Sequence, residues 1–211
     1  MPKQSRNEEE VNEVRDNILS RALQIITDEG YSGLTMRKLG ASLGCAAKTI
    51  YNYYGSKDEI YLRIRMDGFE KLNNMAHDAL AGESDPLARL RILGNTYVHF
   101  GLAYSHYYNI MFSWDVPKYT SYVGTSFEQL ASREREIALH YTVLAEMEIT
   151  DILTQNGVCS RDEMTFHVAR MWSVLHGYIS LHHSMSFREY SVDTLAFQER
   201  IIDEMLAVFM K

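Results

Sequence analysis

Residues 34–57 read LTMRKLGASLGCAAKTIYNYYGSK, an order that few folds accommodate other than two short helices crossing at a tight turn. Thr35 suits the N-cap position, because its side-chain oxygen can accept from an amide of the first turn. Met36, Leu39 and Leu43 then recur at spacings of three and four, giving one apolar stripe that leaves Arg37, Lys38 and Ser42 on the opposite side. Gly44 fits a left-handed helix stop. Residues 46–53 supply roughly two turns of a second helix, held to the core by Ile50 and part of Tyr54. The pattern predicts a helix-turn-helix with basic, hydroxyl and aromatic side chains facing outward.

A formal net charge of -7 would by itself argue against a nucleic-acid partner. The charge is uneven, however. Residues 31–57 hold four basic side chains, Arg37, Lys38, Lys48 and Lys57, and no Asp or Glu, whereas the chain beyond Arg65 carries 11 basic against 19 acidic residues. Cations gather on the surface where phosphate would lie, which makes duplex DNA the expected partner.

Residues 15–65, and most of all the run Thr-Ile-Tyr-Asn-Tyr-Tyr-Gly-Ser-Lys ending at Lys57, resemble the DNA-binding domain of the TetR/AcrR family of transcriptional regulators. A bare helix-turn-helix pattern is common; a tyrosine-rich second helix running into Ser-Lys-Asp-Glu is far more restrictive. The resemblance implies that Thr35 and Arg37 meet phosphate, that Lys48 and Thr49 reach base edges, and that Tyr51, Tyr53 and Lys57 lie on the backbone. Lys38, Ala46, Ala47 and Asn52 complete the expected DNA-facing set. Phosphate contacts fix register without reading sequence, whereas Lys48 suits guanine acceptors and Thr49 a thymine methyl. Two departures from the family pattern stand out. Ala46 occupies a position where many members have a capping Ser or Thr, and the Ala46–Ala47 pair brings a small apolar surface to the groove, so the operator is not copied from a relative. Tyr54 is read as a buried core aromatic rather than a contact.

The rest of the chain reads as all-α, with three prolines and no convincing strand. Val11, Val14, Ile18, Ala22 and Ile25 make a first helix closed by Gly30. Residues 1–8 read as a disordered arm, inert or, through Lys3 and Arg6, following the minor groove. Ser56-Lys-Asp-Glu59 is a capping box opening a long helix through Ile60, Ile64, Leu72, Met75 and Ala79 that ends near Gly82. Asp85-Pro86 opens another, with Leu87, Leu90, Leu93, Tyr97, Phe100 and Tyr104 as its buried stripe. Further helices are expected at 105–114, 121–156, 161–185 and 192–210, with Gly157 a stop and Ser160-Arg-Asp-Glu163 a second capping box. The expected organisation is an arm at 1–8, a three-helix DNA-binding domain at 9–57, and a helical ligand-binding and dimerisation domain at 58–211.

Within that second domain, Tyr97, Phe100, Tyr104, Tyr107, Tyr108, Phe112 and Trp114 crowd into one stretch with His99 and His106. Core packing is the plain account of any one of them. Together, rings with polar tips suit a mostly apolar pocket for a small effector, whose identity the sequence leaves open. Residues 171–177 resemble the Trp-x-x-x-His-Gly signature of one TetR subgroup, which adds Trp172 and His176 to the expected ligand contacts, with dimer or core packing as the alternative. The same resemblance implies a homodimer through the last two helices.

The expected function is a ligand-responsive regulator, most often a repressor, released from a palindromic operator by a small molecule. A DNA-binding chromosome-organising protein that senses no ligand is the alternative. A helical metal-dependent enzyme finds little support, because Glu136 and His140 are spaced i, i+4 but no His-Glu-x-x-His, glycine-rich phosphate loop or Gly-x-Ser-x-Gly is present. No cofactor, metal or catalytic residue is therefore expected. No run of 18 apolar residues and no basic segment preceding an apolar stretch suggests a membrane or export, so the expected location is the cytoplasm, with Cys45 and Cys159 as reduced thiols.

Overall fold

The structure, a computed structural model, describes residues 8–112, 116–155, 157 and 160–210. The described residues contain no strand. Among them ten α-helices follow in order: α1 Glu8–Gly33, α2 Met36–Ser42, α3 Ala47–Tyr51, α4 Lys57–Leu80, α5 Pro86–Ala103, α6 Ser105–Phe112, α7 Glu128–Gln155, α8 Arg161–His183, α9 Ser186–Glu189 and α10 Thr194–Leu206. Short 3-10 turns lie at Tyr119–Ser121 and Ala207–Met210. The expected arm, except for Glu8, and the residues Trp114, Asn156 and Cys159 fall outside the described residues.

Local signals act where the sequence puts them. Gly30 breaks α1 with φ 74° and ψ 173°. Asp85 accepts from the Ala88 amide at 2.8 Å, and Ser160 from the Glu163 amide at 3.1 Å. Three expectations need correction. The helix expected from 121 begins only at Glu128, because Gly124 turns the chain at φ 78° and Tyr122 is buried, 4% exposed, with its hydroxyl directed at Asp58. The helix expected to reach 185 stops at His183, since Met185 is left-handed at φ 63°, and the extra helix α9 follows. The last helix starts at Thr194 rather than 192, under an Asp193 side chain that accepts from the amides of Leu195 and Ala196.

The chain divides into two compact units. The first holds the residues up to Gly68 with His106–Glu136; the second holds Phe69–Ser105 with Ile137–Lys211. The helix-turn-helix thus shares its unit with more than the residues 9–57 expected of it. Ile18, Ala22 and Ile25 of α1 join Leu39, Ile50, Ile64, Ile110 and Val116 in one core, and Leu62 packs with Tyr122 and Ala131 in another. Gly68 lets α6 lie close against this part of α4: a Cβ there would sit 2.7 Å from Met111 Sδ.

In the second unit, α5 packs on α8 and both meet α10. Leu90, Leu93, Tyr97 and Phe100 are buried on α5, as the stripe predicts, and Leu175 and Ile179 are buried on α8. Gly101 marks a close approach, where a Cβ would stand 2.6 Å from Ile179 Cδ1 and 3.0 Å from its Cγ2. Gly101→Ala should therefore cost about 1–3 kcal/mol by overpacking, read as a lowered midpoint in urea. Recovery in a Gly101→Ala, Ile179→Val double variant would identify the clash as the cause. No helix among the described residues is long and apolar enough to cross a membrane.

Candidate nucleic-acid interface

Thr35 has extended backbone, φ -134° and ψ 147°, and its hydroxyl accepts from the Lys38 amide at 3.1 Å. This cap starts α2 with Met36, Leu39 and Gly40 turned inward, which leaves Thr35 and Arg37 exposed. Leu43 ends the helix and Gly44 follows at φ 68°, a left-handed conformation that costs glycine least. The Cys45 amide then donates back to the Gly40 carbonyl at 2.9 Å. The two segments approach so closely that a Cβ on Gly40 would lie 2.8 Å from the Cys45 oxygen.

The second helix is shorter than the expected 46–53: α3 spans Ala47–Tyr51, and Ala46 makes no side-chain cap. Ile50 is its sole buried residue. Ala46, Lys48, Thr49, Tyr51 and Asn52 are exposed, Tyr51 at 54%, whereas Ala47 and Tyr53 are half-buried against the core. Tyr54 is buried, its hydroxyl 3.5 Å from the Arg15 carbonyl, so its core assignment stands. Ser56 accepts from the amides of Asp58 and Glu59, and Glu59 reaches back to the Gly55 amide at 2.7 Å, one residue before the cap it was expected to serve.

Electrostatics adds what composition missed. Although residues 31–57 contain no acid, Glu29 folds back onto the Lys38 ammonium as a surface ion pair. A phosphate reaching Lys38 must therefore compete with Glu29. Lys57 is half-buried, with its ammonium 4.2 Å from the centre of the Tyr31 ring. Neither Glu29 nor Tyr31 stood out in the sequence, since each belongs to the end of α1 and meets the motif only through folding.

The aromatic stretch at 97–112 is divided between the units after Ser105. In the second unit Tyr97 is buried, and its hydroxyl accepts from Trp172 Nε1 at 2.9 Å while Trp172 as a residue stays 52% exposed. Phe100 is buried, Tyr104 half-buried 5.5 Å from it, and His176 is half-buried 6.5 Å from Trp172. Burial lowers the pKa of His176, which favours neutral imidazole. In the first unit, Tyr108 is buried against Phe112 at 4.8 Å and Tyr107 packs on the core. Trp114 lies outside the described residues. Among those residues no three of His, Cys, Asp and Glu come together as a metal-binding group.

Two short helices joined through Gly44, the second burying one isoleucine and turning a lysine, a threonine and a tyrosine to solvent, form a helix-turn-helix. A model of bacterial regulatory proteins of the tetR family matches residues 18–64, and a model of the tetracyclin repressor-like C-terminal domain matches residues 90–205. The chain belongs to the TetR family of transcriptional regulators. It is 25% identical over 171 residues to the uncharacterized HTH-type transcriptional regulator Rv0681 of Mycobacterium tuberculosis, covering 79% of this chain and 69% of that one. Its fold is similar to that of the regulatory protein SCO4313, with a TM-score of 0.75 at 19% identity over 96% of this chain and 100% of that one. It is also similar to the transcriptional regulator FadR of Bacillus subtilis in complex with stearoyl-CoA, with a TM-score of 0.65 at 15% identity over 90% and 97% of the two chains.

Proposed function

We propose that the chain is a repressor that grips a palindromic operator as a homodimer and releases it when a small molecule binds the second unit. The observation that carries this reading is the bared face of α2 and α3. Arg37 and Lys48 are exposed beside Thr49, Tyr51 and Asn52, with no acid anywhere in residues 31–57. Thr35, Arg37, Tyr51, Tyr53 and Lys57 hold phosphate, Lys38 does so once Glu29 is displaced, and Lys48 and Thr49, flanked by Ala46, Ala47 and Asn52, read base edges.

One helix of five residues reads only a few base pairs. Two such helices about 34 to 36 Å apart, one turn of the duplex, read both halves of a palindrome. Support for the dimer comes from α8 and α10, which expose Phe166, Leu181, Leu195 and Phe197. Apolar side chains left in water on helices that pack together are available for association with a second copy. The effector reading rests on Tyr97, Phe100, Tyr104, Trp172 and His176 in the second unit, where aromatic faces meet a few polar tips. Tyr107, Tyr108 and Phe112 belong to the first unit, where Tyr107 packs on the core and Tyr108 is buried, so they are left out of the effector site. Effector binding acts through α4, whose residues 57–68 belong to the first unit and 69–80 to the second. A coupling of about 1–3 kcal/mol gives a many-fold change in operator affinity.

Selection of bound duplexes from a random pool tests the reading. A palindromic consensus is expected, with half-sites about 10 base pairs apart from centre to centre. An asymmetric consensus would remove the dimer, and no enrichment at low salt would remove the DNA-binding function itself.

A further inference from the structure

The Tyr31 ring beneath Lys57 is held on more than one side. Its hydroxyl donates to Asp58 Oδ1 at 2.6 Å, and its edge meets the Tyr61 ring at 4.8 Å between centres. The same Asp58 oxygen accepts from the Tyr122 hydroxyl at 3.2 Å. Tyr122 belongs to the connection between α6 and α7 and is buried. Tyr61 in turn accepts from Arg65 Nη1 at 3.2 Å, and Arg65 Nε donates to Glu134 on α7 at 2.8 Å. All these residues lie in the first unit. Two routes thus lead from residues 122–134 to the ring beneath a DNA-facing lysine.

The chemistry makes this arrangement directional. Asp58 sits in the first turn of α4, where free amides favour a negative charge. Burial first, and the Asp58 carboxylate after it, hold both phenols far above their usual pKa, so both remain hydrogen-bond donors at neutral pH. Lysine has a long flexible stem, and a ring fixed beneath its ammonium removes part of the ordering that a phosphate contact would otherwise require.

We propose that Tyr31 is a positioning residue for Lys57, and that Tyr122 sets Tyr31 through their shared Asp58 oxygen, so that the α6–α7 connection controls the grip on the DNA backbone. The inference rests on the phosphate-contact reading of Lys57.

The test is equilibrium binding of the full chain to its selected duplex across a range of salt concentrations. Tyr122→Phe and Tyr31→Phe should each weaken binding by about five- to tenfold, the loss expected for one hydrogen bond of low worth in each of the two subunits. The salt slope should not change, because the number of phosphates neutralised is the same. In a Lys57→Ala background the same substitutions should have no further effect. Thermal melts accompany each variant, and if Tyr122→Phe is unfolded at the assay temperature, Tyr31→Phe carries the cycle. Losses that multiply with that of Lys57→Ala, or phenylalanine variants that bind like the original chain, overturn the inference and leave the DNA-binding reading standing. A chain that binds no duplex overturns both.

Discussion

Glu134→Ala should destabilise the first unit by about 3–5 kcal/mol, measured as a shift of its urea or thermal unfolding transition. Arg65 and Glu134 are 8% and 3% exposed, and their Nε–Oε1 contact is 2.8 Å. Removing the acid deprives a buried guanidinium of the Glu134 carboxylate, and the Tyr61 hydroxyl and ring, which carry no charge, offset only part of the desolvation cost. The pair as a whole contributes far less than that figure, since bringing both ions out of water offsets most of their attraction. A double variant with Arg65→Met and Glu134→Leu should accordingly recover most of the loss. The exposed pair of Arg91 with Asp203 offers the contrast, because solvent-screened pairs are typically worth only about 0–1 kcal/mol. If Glu134→Ala melts with the original chain, the buried ion pair does not hold α7 to α4.

The features legible in the sequence are those settled within one turn of helix. Thr35, Asp85 and Ser160 cap helices because a side-chain oxygen reaches an amide three residues on. Gly44, Gly82 and Gly157 stop or turn the chain at positive φ, as their positions after apolar stripes suggest. Tyr54 is buried for the same local reason, since it lies four residues beyond Ile50 on the packed face of the motif.

Partners far apart in sequence were not legible. Periodicity says that a face is buried but not which element covers it, so the Asp58–Tyr122 bond, 64 residues apart, and the Arg65–Glu134 pair, 69 apart, emerge only in the fold. Counting charge by sequence window fails at Lys38 for the same reason, because Glu29 lies two residues outside the acid-free stretch. Trp172 shares a helical face with Leu175 and Ile179, yet about half its surface remains in solvent while theirs does not. The aromatic run reads as continuous along the chain. The helix break at Tyr104, with φ -118° and ψ 47°, sends its two halves into different units.

If Lys57 meets phosphate and Lys48 a base edge, as proposed, the two cations should separate by the kind of loss they produce. In a homodimer each operator meets two copies of Lys57, so Lys57→Ala removes two phosphate contacts and should flatten the salt dependence by roughly 1.8, at about 0.9 per phosphate. Two charge-assisted hydrogen bonds at about 1.5 kcal/mol each amount to roughly 3 kcal/mol, or about a hundredfold loss of affinity. That loss should be nearly equal for operator and unrelated duplex, because phosphate carries no sequence information. Lys57→Arg keeps the charge and should keep most of the slope, though a wider guanidinium over the Tyr31 ring changes the geometry. Lys48, exposed on α3, is the opposite case. A base-edge contact is worth about 1–3 kcal/mol of discrimination, so Lys48→Ala should relax preference at symmetric positions of the consensus while unrelated duplexes are bound nearly as before. Binding isotherms on both duplexes at several salt concentrations decide the matter. Equal slopes for Lys57→Ala and the original chain would place Lys57 away from phosphate, and a uniform loss for Lys48→Ala would move it from the base edges to the backbone.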